Sequence, residues 1–338
     1  MKALKPEHPT AVAVIGAGAF GRNHARVYHQ MAQEGLGVRL AAVVDSDPTR
    51  ADILAQEYGA RAFGSLEHLL TWNEIQAASV AVPTVEHARV AAQLMEAGID
   101  VLIEKPVTST LHEADHLIHV ARQNNRIAQV GHLERFNPAV RATYPLLNRP
   151  LFFEVHRMSV FTPRSLDVDV VLDLMIHDLD IVLSFVNSPV KQIHAVGLPV
   201  LSNKVDIANV RLEFDSGCVA NFTASRVSTE KVRKLRFFQP HQYLSIDYSR
   251  RDLLAFNVDP TGTNPVPGHP DSMIKVTKAA ASTEEPLHAE LRAFLEAVHA
   301  RSSPLVTLED GRRALDLALA ILAAIREHGK SIQLPNLG

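Results

Sequence analysis

In two segments of this chain, residues whose side chains can take up or donate a proton lie next to apolar runs. Asp173 and His177 are four residues apart in an apolar stretch that predicts a helix over 168–186, so their side chains share one helix face. A carboxylate beside an imidazole fixes its tautomer and raises its basicity, which suits removal of a proton from an alcohol near neutral pH. A structural histidine within the core would show the same spacing, so both interpretations stay open on these residues alone.

The second segment is Glu104-Lys105-Pro106, which follows the apolar run Val101–Ile103. A lysine at the carboxyl end of a buried strand can hydrogen-bond a substrate hydroxyl and tune its acidity. The proline stiffens the turn, and a peptide bond before proline can be cis. The alternative is an ordinary solvated Glu–Lys pair in a loop.

A glycine pattern near the start of the chain indicates the kind of binding site to which both segments could belong. An apolar β-branched run over 11–15 ends in Gly16-x-Gly18-x-x-Gly21, and a helical pattern follows. In a strand–turn–helix unit, such glycines serve a tight turn, a close backbone approach to a pyrophosphate, and close packing of helix on strand. The helix N-terminus supplies N–H groups for phosphates. The pattern therefore predicts a dinucleotide site.

An acid at the end of the next strand indicates which dinucleotide. The apolar run over 38–44 ends at Asp45, 24 residues after Gly21. A carboxylate there accepts hydrogen bonds from the adenosine ribose hydroxyls and repels a 2′-phosphate, so NAD is the expected cofactor. Arg50 is the nearby feature that favours NADP instead.

A further turn, Val82-Pro83-Thr84, ends the strand predicted over 78–82. Ligands of open α/β sheets lie beyond the carboxyl ends of the strands, so this turn is expected to border the cofactor. A plain strand-terminating proline is the alternative.

The order of the elements predicts two domains. Over the first 130 residues, strands alternate with helices, which indicates a doubly wound parallel sheet of Rossmann type. Later, strand-like runs predominate, which indicates an α+β domain whose antiparallel or mixed sheet has one covered face. We therefore predict an α/β protein with an NAD-binding domain over 1–130 and a substrate-binding and oligomerisation domain over 131–338. The early strands are placed at 11–15, 38–44, 78–82, 100–103 and 127–130, and the later ones at 151–160, 190–200, 205–215, 217–225, 232–238 and 242–248, followed by a long loop over 258–272 and helices over 285–300 and 309–328.

The bulk composition argues against several classes of partner. The 338 residues carry a net charge of −3, which gives no footprint for nucleic acid, and no apolar run approaches the ~20 residues that span a membrane. The first residues lack the apolar core of a signal peptide, and Cys218 is the single cysteine, so a cytoplasmic protein is expected. No metal site is expected, because the histidine and acid spacings do not converge.

Most of the 17 histidines lack the context of His177. Eight of them fall on helical faces that are predicted to be exposed: His24, His29, His68, His87, His112, His116, His119 and His299.

Together, the glycine pattern, Glu104-Lys105-Pro106 and Asp173-x-x-x-His177-Asp178 closely resemble the glucose–fructose oxidoreductase / inositol dehydrogenase / rhizopine-catabolism (Gfo/Idh/MocA) superfamily. The resemblance implies a Rossmann domain, a C-terminal domain whose large open sheet mediates homodimers or homotetramers, and oxidation of sugars or cyclitols with a nicotinamide. It assigns catalysis to Lys105, Asp173 and His177. The cofactor contacts that it implies are Gly16, Gly18, Ala19, Phe20, Gly21, Asp45, Pro83, Thr84, His87, Glu104 and Lys105.

Four runs, 131–138, 161–165, 171–178 and 224–228, are similar to UDP-N-acetylglucosamine 3-dehydrogenases of lipid A (lipopolysaccharide) precursor synthesis. This similarity implies oxidation of the sugar 3-hydroxyl to a ketone, with His177 taking the proton, Lys105 polarising the oxygen and Asp173 orienting His177. Arginine forks match diphosphate oxygens, although each could be an ordinary surface arginine. The implied substrate contacts are His132, Glu134, Arg135, Asn137, Arg164, Asp173, His177 and Arg226.

Two other functions stay open from the sequence. One is a dehydrogenase of another sugar, a cyclitol or a UDP-hexuronate. The other is a non-catalytic sensor of NAD or a metabolite, since a fold does not fix a function. The presence of both Lys105 and His177 argues against the sensor.

Overall fold

The computed structural model describes residues 9–162, 168–258, 274–279 and 284–332. Part of the predicted loop, 259–272, lies outside these residues. The helices and strands, in chain order, are β1 (Thr10–Ile15), α1 (Ala19–Gln33), β2 (Val38–Val44), α2 (Pro48–Tyr58), β3 (Arg61–Phe63), α3 (Leu66–Trp72), β4 (Ala77–Val80), α4 (Thr84–Glu96), β5 (Asp100–Glu104), α5 (Leu111–Gln123), β6 (Ala128–Gly131), α6 (Pro138–Thr143), β7 (Phe152–Val160), α7 (Ile176–Phe185), β8 (Val190–Leu198), β9 (Ile207–Phe214), β10 (Val219–Ser228), β11 (Val232–Gln239), β12 (Gln242–Asp247), β13 (Asp252–Val258), β14 (Ile274–Ala279), α8 (Pro286–Ala300) and α9 (Leu308–Ser331).

The chain forms two compact units. The first contains Met1–Leu133 and Glu285–Leu315, and the second contains Glu134–Glu284 and Asp316–Gly338. Residues 285–315, which are predicted above to belong to the second domain, therefore pack with the first unit.

A parallel sheet of six strands forms the centre of the first unit, in the order β3-β2-β1-β4-β5-β6. Strands β1, β4 and β5 are buried along their whole length, as expected for strands with helices on both faces. The strand order reverses between β1 and β4, and ligands of such sheets bind at this point. Helix α8 adds Leu291 and Phe294 to a core that also contains Tyr28 and Met31 of α1.

The second unit contains a mixed sheet of eight strands, in the order β14-β13-β12-β11-β7-β10-β9-β8. Among the described strands of this second sheet, only the β7–β10 pair is parallel. Buried and partly exposed residues alternate along β7 and β9, which shows that one face of the sheet is covered. Phe185 of α7 lies on that face, 5.8 Å from the ring of Phe237. The predicted fold class is confirmed. None of the described helices is both long enough and apolar enough to cross a membrane.

Candidate active site

Backbone contacts in the glycine turn after β1 leave little room for side chains. Gly16 has a φ of +100°, and a Cβ atom there would lie 2.5 Å from the carbonyl oxygen of Ala81. A Cβ atom on Gly21 would overlap the carbonyl oxygen of Gly16. At Gly18, in contrast, nothing in the described structure beyond its chain neighbours lies within 4 Å of the Cβ position. The backbone of the turn therefore requires glycine at positions 16 and 21, whereas glycine at position 18 leaves the outer surface of the turn open.

Asp45 lies directly after β2 and accepts two backbone hydrogen bonds. Its Oδ2 accepts from the N–H of Ala17 at 2.7 Å, and its Oδ1 accepts from the N–H of Asp47 at 2.9 Å. Because a carboxylate oxygen has two lone pairs, each oxygen can accept one more hydrogen bond. The contact with Ala17 also fixes the acid next to the glycine turn.

A cavity of about 680 Å³ opens beside the glycine turn in the first unit, and its lining includes Gly16, Gly18, Asp45 and Pro83. Ligand pockets commonly have volumes of ~300–1,000 Å³. The clear space at Gly18 would admit a pyrophosphate at the N-terminus of α1, and Asp45 would hold a ribose. The residues present therefore fit a dinucleotide.

Four other predicted cofactor contacts lie at or directly before the first residues of α1 and α4. Ala19 and Phe20 are the first two residues of α1 and line the cavity, and Phe20 is 55% exposed. Pro83 precedes α4, and Thr84 is its first residue. These contacts stay predictions, with backbone positions suited to them.

His87 joins the turns that follow β4 and β5. Its side chain is buried, with Nδ1 2.9 Å from the carbonyl oxygen of Pro106 and Nε2 2.9 Å from that of Val82. The Lys105–Pro106 peptide bond is cis. Because burial lowers the pKa of His87, the ring is neutral at pH 7 and donates only one hydrogen bond. The prediction of an exposed His87 is wrong, and the ring positions the Lys105 turn.

Glu104 is paired with a second histidine whose predicted exposure is wrong. His24 is fully buried, and its Nε2 lies 2.9 Å from Oε1 of Glu104. Burial favours a higher pKa for Glu104, but the hydrogen bond from His24 and the attraction of His24 and Lys105 outweigh it and lower that pKa. Glu104 is therefore ionised and fixed by α1, next to the half-buried Lys105. The sequence signal is the position of His24, three residues after Gly21.

Glu290, on α8, is another buried carboxyl of the first unit. It is fully buried, and neither carboxyl oxygen has a hydrogen-bond partner in the part of the chain that the structure describes. Burial and the charge of Glu104 raise the pKa of Glu290 well above its usual value of 4.5. The folded protein therefore keeps this carboxyl protonated to higher pH than the unfolded chain does.

We expect Glu290→Gln to raise the melting temperature most at high pH. The stability contributed by the protonated carboxyl is complete below the unfolded-state pKa of 4.5 and is lost as the pH rises toward the raised folded-state pKa. The melting temperature of Glu290→Gln should therefore exceed that of the wild type by an amount that grows from about pH 5 to pH 8. Glu296→Gln, at an exposed position of α8, is the control. A difference in melting temperature between wild type and Glu290→Gln that stays constant with pH would contradict this prediction.

Asp173 lies within a π-helical turn, Val171–Met175, directly before α7. The turn is marked by a hydrogen bond from the N–H of Ile176 to the carbonyl oxygen of Val171, five residues earlier. Such wide turns frequently occur at functional sites. Asp173 and His177 are both half-buried, so each combines a fixed backbone with access to a ligand.

The residue after His177 belongs to a buried ion pair. Asp178 accepts hydrogen bonds from Nε and Nη2 of Arg157 at 2.6 and 2.9 Å. Arg157 also donates to Glu134 at 3.1 Å, and Asn137 donates to the other oxygen of Glu134 at 3.1 Å. Burial raises the pKa of Asp178 against the opposing charge of Arg157. This cluster fixes the start of α7 and hence His177. The substrate contacts predicted for Glu134 and Asn137 stay predictions.

The three arginines predicted to hold a diphosphate lie in different surroundings. Arg135 is buried and donates to Asp180 at 2.8 Å. Arg226 is buried, with its Nε 3.6 Å from Asp206. Arg164 lies outside the described residues. Carboxylates lie beside both Arg135 and Arg226. Their diphosphate contacts stay predictions and do not enter the proposal below.

Two further residues are buried. His132, a predicted substrate contact, is 1% exposed in the first unit, and its contact with substrate stays a prediction. Cys218 is also buried, which raises its pKa to about 11, so it is a thiol at neutral pH. Within the described ranges, no group of three His, Cys, Asp or Glu side chains could hold a metal ion.

Comparison with known proteins identifies both parts of the chain. The family described as "Oxidoreductase family, NAD-binding Rossmann fold" matches residues 10–132, and "GFO/IDH/MocA C-terminal domain" matches residues 140–240. The chain belongs to the Gfo/Idh/MocA oxidoreductase family. This membership confirms the predicted family, the enzyme class and NAD as the cofactor.

The individual proteins to which the chain is similar include enzymes with named substrates. UDP-N-acetylglucosamine 3-dehydrogenase of Acidithiobacillus ferrooxidans is 37% identical over 314 residues, which cover 92% of this chain and 96% of that protein. A solved structure of that enzyme has a TM-score of 0.84 at 34% identity, with 93% of this chain and 97% of that one covered. scyllo-Inositol 2-dehydrogenase (NAD(+)) of Bacillus subtilis is 27% identical, over 66% of this chain and 69% of that protein. A levoglucosan dehydrogenase solved with NADH and levoglucosan shares the fold, with a TM-score of 0.83 at 16% identity over 95% of this chain and 98% of that one.

Asp45→Ser is expected to narrow the preference for NAD over NADP by at least about tenfold, since it removes a charge that faces the 2′-phosphate of NADP. The measurement is the ratio of the dissociation constants of the two cofactors. Asp52→Ser, an exposed acid on α2, is the control. A wild-type protein that binds NADP at least as well as NAD would overturn this role of Asp45.

Proposed function

We propose that the protein oxidises the 3-hydroxyl of UDP-N-acetylglucosamine with NAD and forms the 3-keto sugar nucleotide, a lipopolysaccharide precursor. The observation that carries this proposal is the 37% identity to a UDP-N-acetylglucosamine 3-dehydrogenase over 92% of the chain. The match to an inositol dehydrogenase is weaker and covers 66% of the chain. The cytoplasm is the proposed location, since the chain has a single cysteine and fits a reducing compartment.

In the proposed reaction, two side chains act on the oxygen that becomes the carbonyl. His177 takes the hydroxyl proton as a general base, and Asp173 orients the imidazole. Lys105 donates a hydrogen bond to the same oxygen and stabilises the charge that develops there. Bound NAD would supply the acceptor for the hydride that leaves C3. Backbone groups of the glycine turn and Asp45 would hold it, and Glu104, His24 and His87 fix the position of Lys105.

A substrate screen with NAD tests this function. UDP-N-acetylglucosamine, a UDP-hexuronate, free N-acetylglucosamine and inositol are compared by the absorbance of NADH. The highest kcat/KM is expected for UDP-N-acetylglucosamine. Preferred turnover of a free sugar or cyclitol would show that UDP-N-acetylglucosamine is not the main substrate. Binding of NAD without turnover of any compound would support the alternative of a non-catalytic sensor.

We also propose that the protein assembles as a homodimer or homotetramer through the face of its eight-stranded sheet that the described helices leave open. A row of stacked aromatic rings crosses β7, β11, β12 and β13 on this face. Ring centroids are separated by 5.8 Å for Phe152 and Phe238, 4.9 Å for Phe238 and Tyr243, and 5.2 Å for Tyr243 and Phe256. Phe238 is 39% exposed. Exposed apolar patches of this kind commonly mark interfaces.

Phe238→Glu is expected to shift the protein toward a smaller species, because burying an unpaired charge in an interface is unfavourable. Light scattering at micromolar concentration measures the mass of the wild type and of the variant. Val85→Glu, at an apolar residue of α4 that is 71% exposed, is the control and should leave the mass unchanged. A monomeric wild-type protein would refute the proposed assembly.

A further inference from the structure

We propose that Arg233, on β11, binds a phosphate group of the nucleotide-sugar substrate. The identity of the substrate rests on the proposed function, whereas the placement of the guanidinium is a property of the second unit alone.

The strand register directs Arg233 toward the helix-covered face of the sheet. In the antiparallel β7–β11 pair, Arg233 stands opposite Arg157, whose side chain is buried on that face. Leu235 and Phe237, two and four residues further along β11, are fully buried. Since side chains alternate between the faces of a strand, Arg233 points to the same face. It is half-buried, so part of its side chain can still meet a ligand.

Of the two opposed guanidinium groups, only one is balanced by close carboxylates. Arg157 contacts Asp178 at 2.6 Å and Glu134 at 3.1 Å. The side chain of Arg233 makes no hydrogen bond or ion pair with any residue that the structure describes, and its Nε is buried without an acceptor. Like charges directly opposite each other on a sheet are unfavourable, and an arginine cannot escape by losing its proton. Burial and the charge of Arg157 lower the pKa of Arg233. Among the described residues, no carboxylate forms an ion pair with its guanidinium.

The position of Arg233 is that of a substrate-binding residue. The carboxylates that attract it electrostatically are Glu134, Asp178 and Asp173. Glu134 and Asp178 already bind Arg157, and Asp173 is a residue to which the proposed reaction gives a role. The guanidinium thus lies in the part of the second unit that carries the proposed chemistry.

A phosphate is the ligand that this environment favours. A guanidinium fork offers two parallel N–H donors to two phosphate oxygens, and such charged hydrogen bonds are among the strongest in proteins. A neutral sugar hydroxyl would satisfy a donor but leave the charge unbalanced. A diphosphate supplies both oxygens and charge.

The test measures binding of UDP and of uridine to the full chain by calorimetry, for wild type, Arg233→Met and Arg233→Lys. Arg250→Met, at an exposed turn residue of the second unit, is the control. Loss of a charged hydrogen bond is expected to weaken UDP binding by about 10- to 100-fold. Arg233→Lys should restore part of the affinity, while uridine binding and NAD binding change little. The melting temperature of Arg233→Met should not fall, because this variant removes the repulsion from Arg157.

The outcomes separate this inference from the proposed function. An unchanged dissociation constant for UDP in folded Arg233→Met and Arg233→Lys would overturn the phosphate contact, as would a wild-type protein that does not bind UDP. Equal losses for UDP and uridine would also overturn it, since the contact would then involve the nucleoside. Tight, Arg233-dependent UDP binding without NADH formation from UDP-N-acetylglucosamine would refute the proposed function and leave the inference intact.

Discussion

Replacing Lys105 or His177 with alanine is expected to lower kcat by about 10²–10⁴-fold or more, with a much smaller effect on the affinity for NAD. Each variant removes a group that handles the proton or the developing charge at the reacting oxygen. Asp173→Asn should cost less, because it perturbs the imidazole of His177 without deleting it. His194→Ala, at an exposed histidine of β8, is the matched control and should retain full activity.

Turnover and melting temperature measured on the same variant distinguish catalysis from packing at His177. A histidine that only fills space would lose stability on truncation while the folded fraction kept its turnover. Near-normal kcat together with a lower melting temperature would therefore assign His177 to the core. Lys105 would then be the sole candidate base.

The first unit could be predicted from sequence because its signals are local. Strands such as β1 are apolar on both faces, and the glycine turn and Asp45 follow them directly. The three-residue strand β3 was missed, since only Phe63 of it is buried. Helix α8 was found, but an apolar stripe shows that a helix is buried without showing which core receives it, so its place in the first unit required the structure.

The fold class of the second unit could be predicted from the sequence, but several of its strands and the exact bounds of its helix could not. Strands β13 and β14 were missed, and β14 carries exposed Lys275 and Lys278, a pattern that suggests no buried face. Its strand conformation comes from pairing with β13. The helix predicted over 168–186 is regular only over Ile176–Phe185. The π-helical turn before it depends on backbone hydrogen bonds that side-chain periodicity does not report.

At the candidate site, the sequence identified residue types but not their partners. His24 and His87 looked exposed because each has polar neighbours, yet tertiary packing buries both beside Glu104 and the Lys105 turn. Nothing in the sequence shows that Arg135 pairs with Asp180, 45 residues away. Ion pairs between residues so distant along the chain depend on tertiary packing, which local sequence patterns do not report.

Gly18→Ala is expected to weaken NAD binding and Gly21→Ala to destabilise the fold, because one glycine faces open space and the other faces backbone. A methyl group on Gly18 meets nothing in the described structure, so the melting temperature without NAD should stay near that of the wild type. The same methyl would occupy the space for a pyrophosphate, so NAD affinity should fall by at least about tenfold, which corresponds to ~1.4 kcal/mol.

On Gly21 the methyl would overlap the carbonyl oxygen of Gly16, and relieving that overlap must move α1 away from β1. Overpacking of this kind costs about 1–3 kcal/mol or more, so the melting temperature should fall even without cofactor. Thermal melts without NAD and calorimetric titrations with NAD measure the two effects separately. If Gly18→Ala lost as much stability as Gly21→Ala, its surroundings would not be open. If it bound NAD as the wild type does, the pyrophosphate would not lie against Gly18.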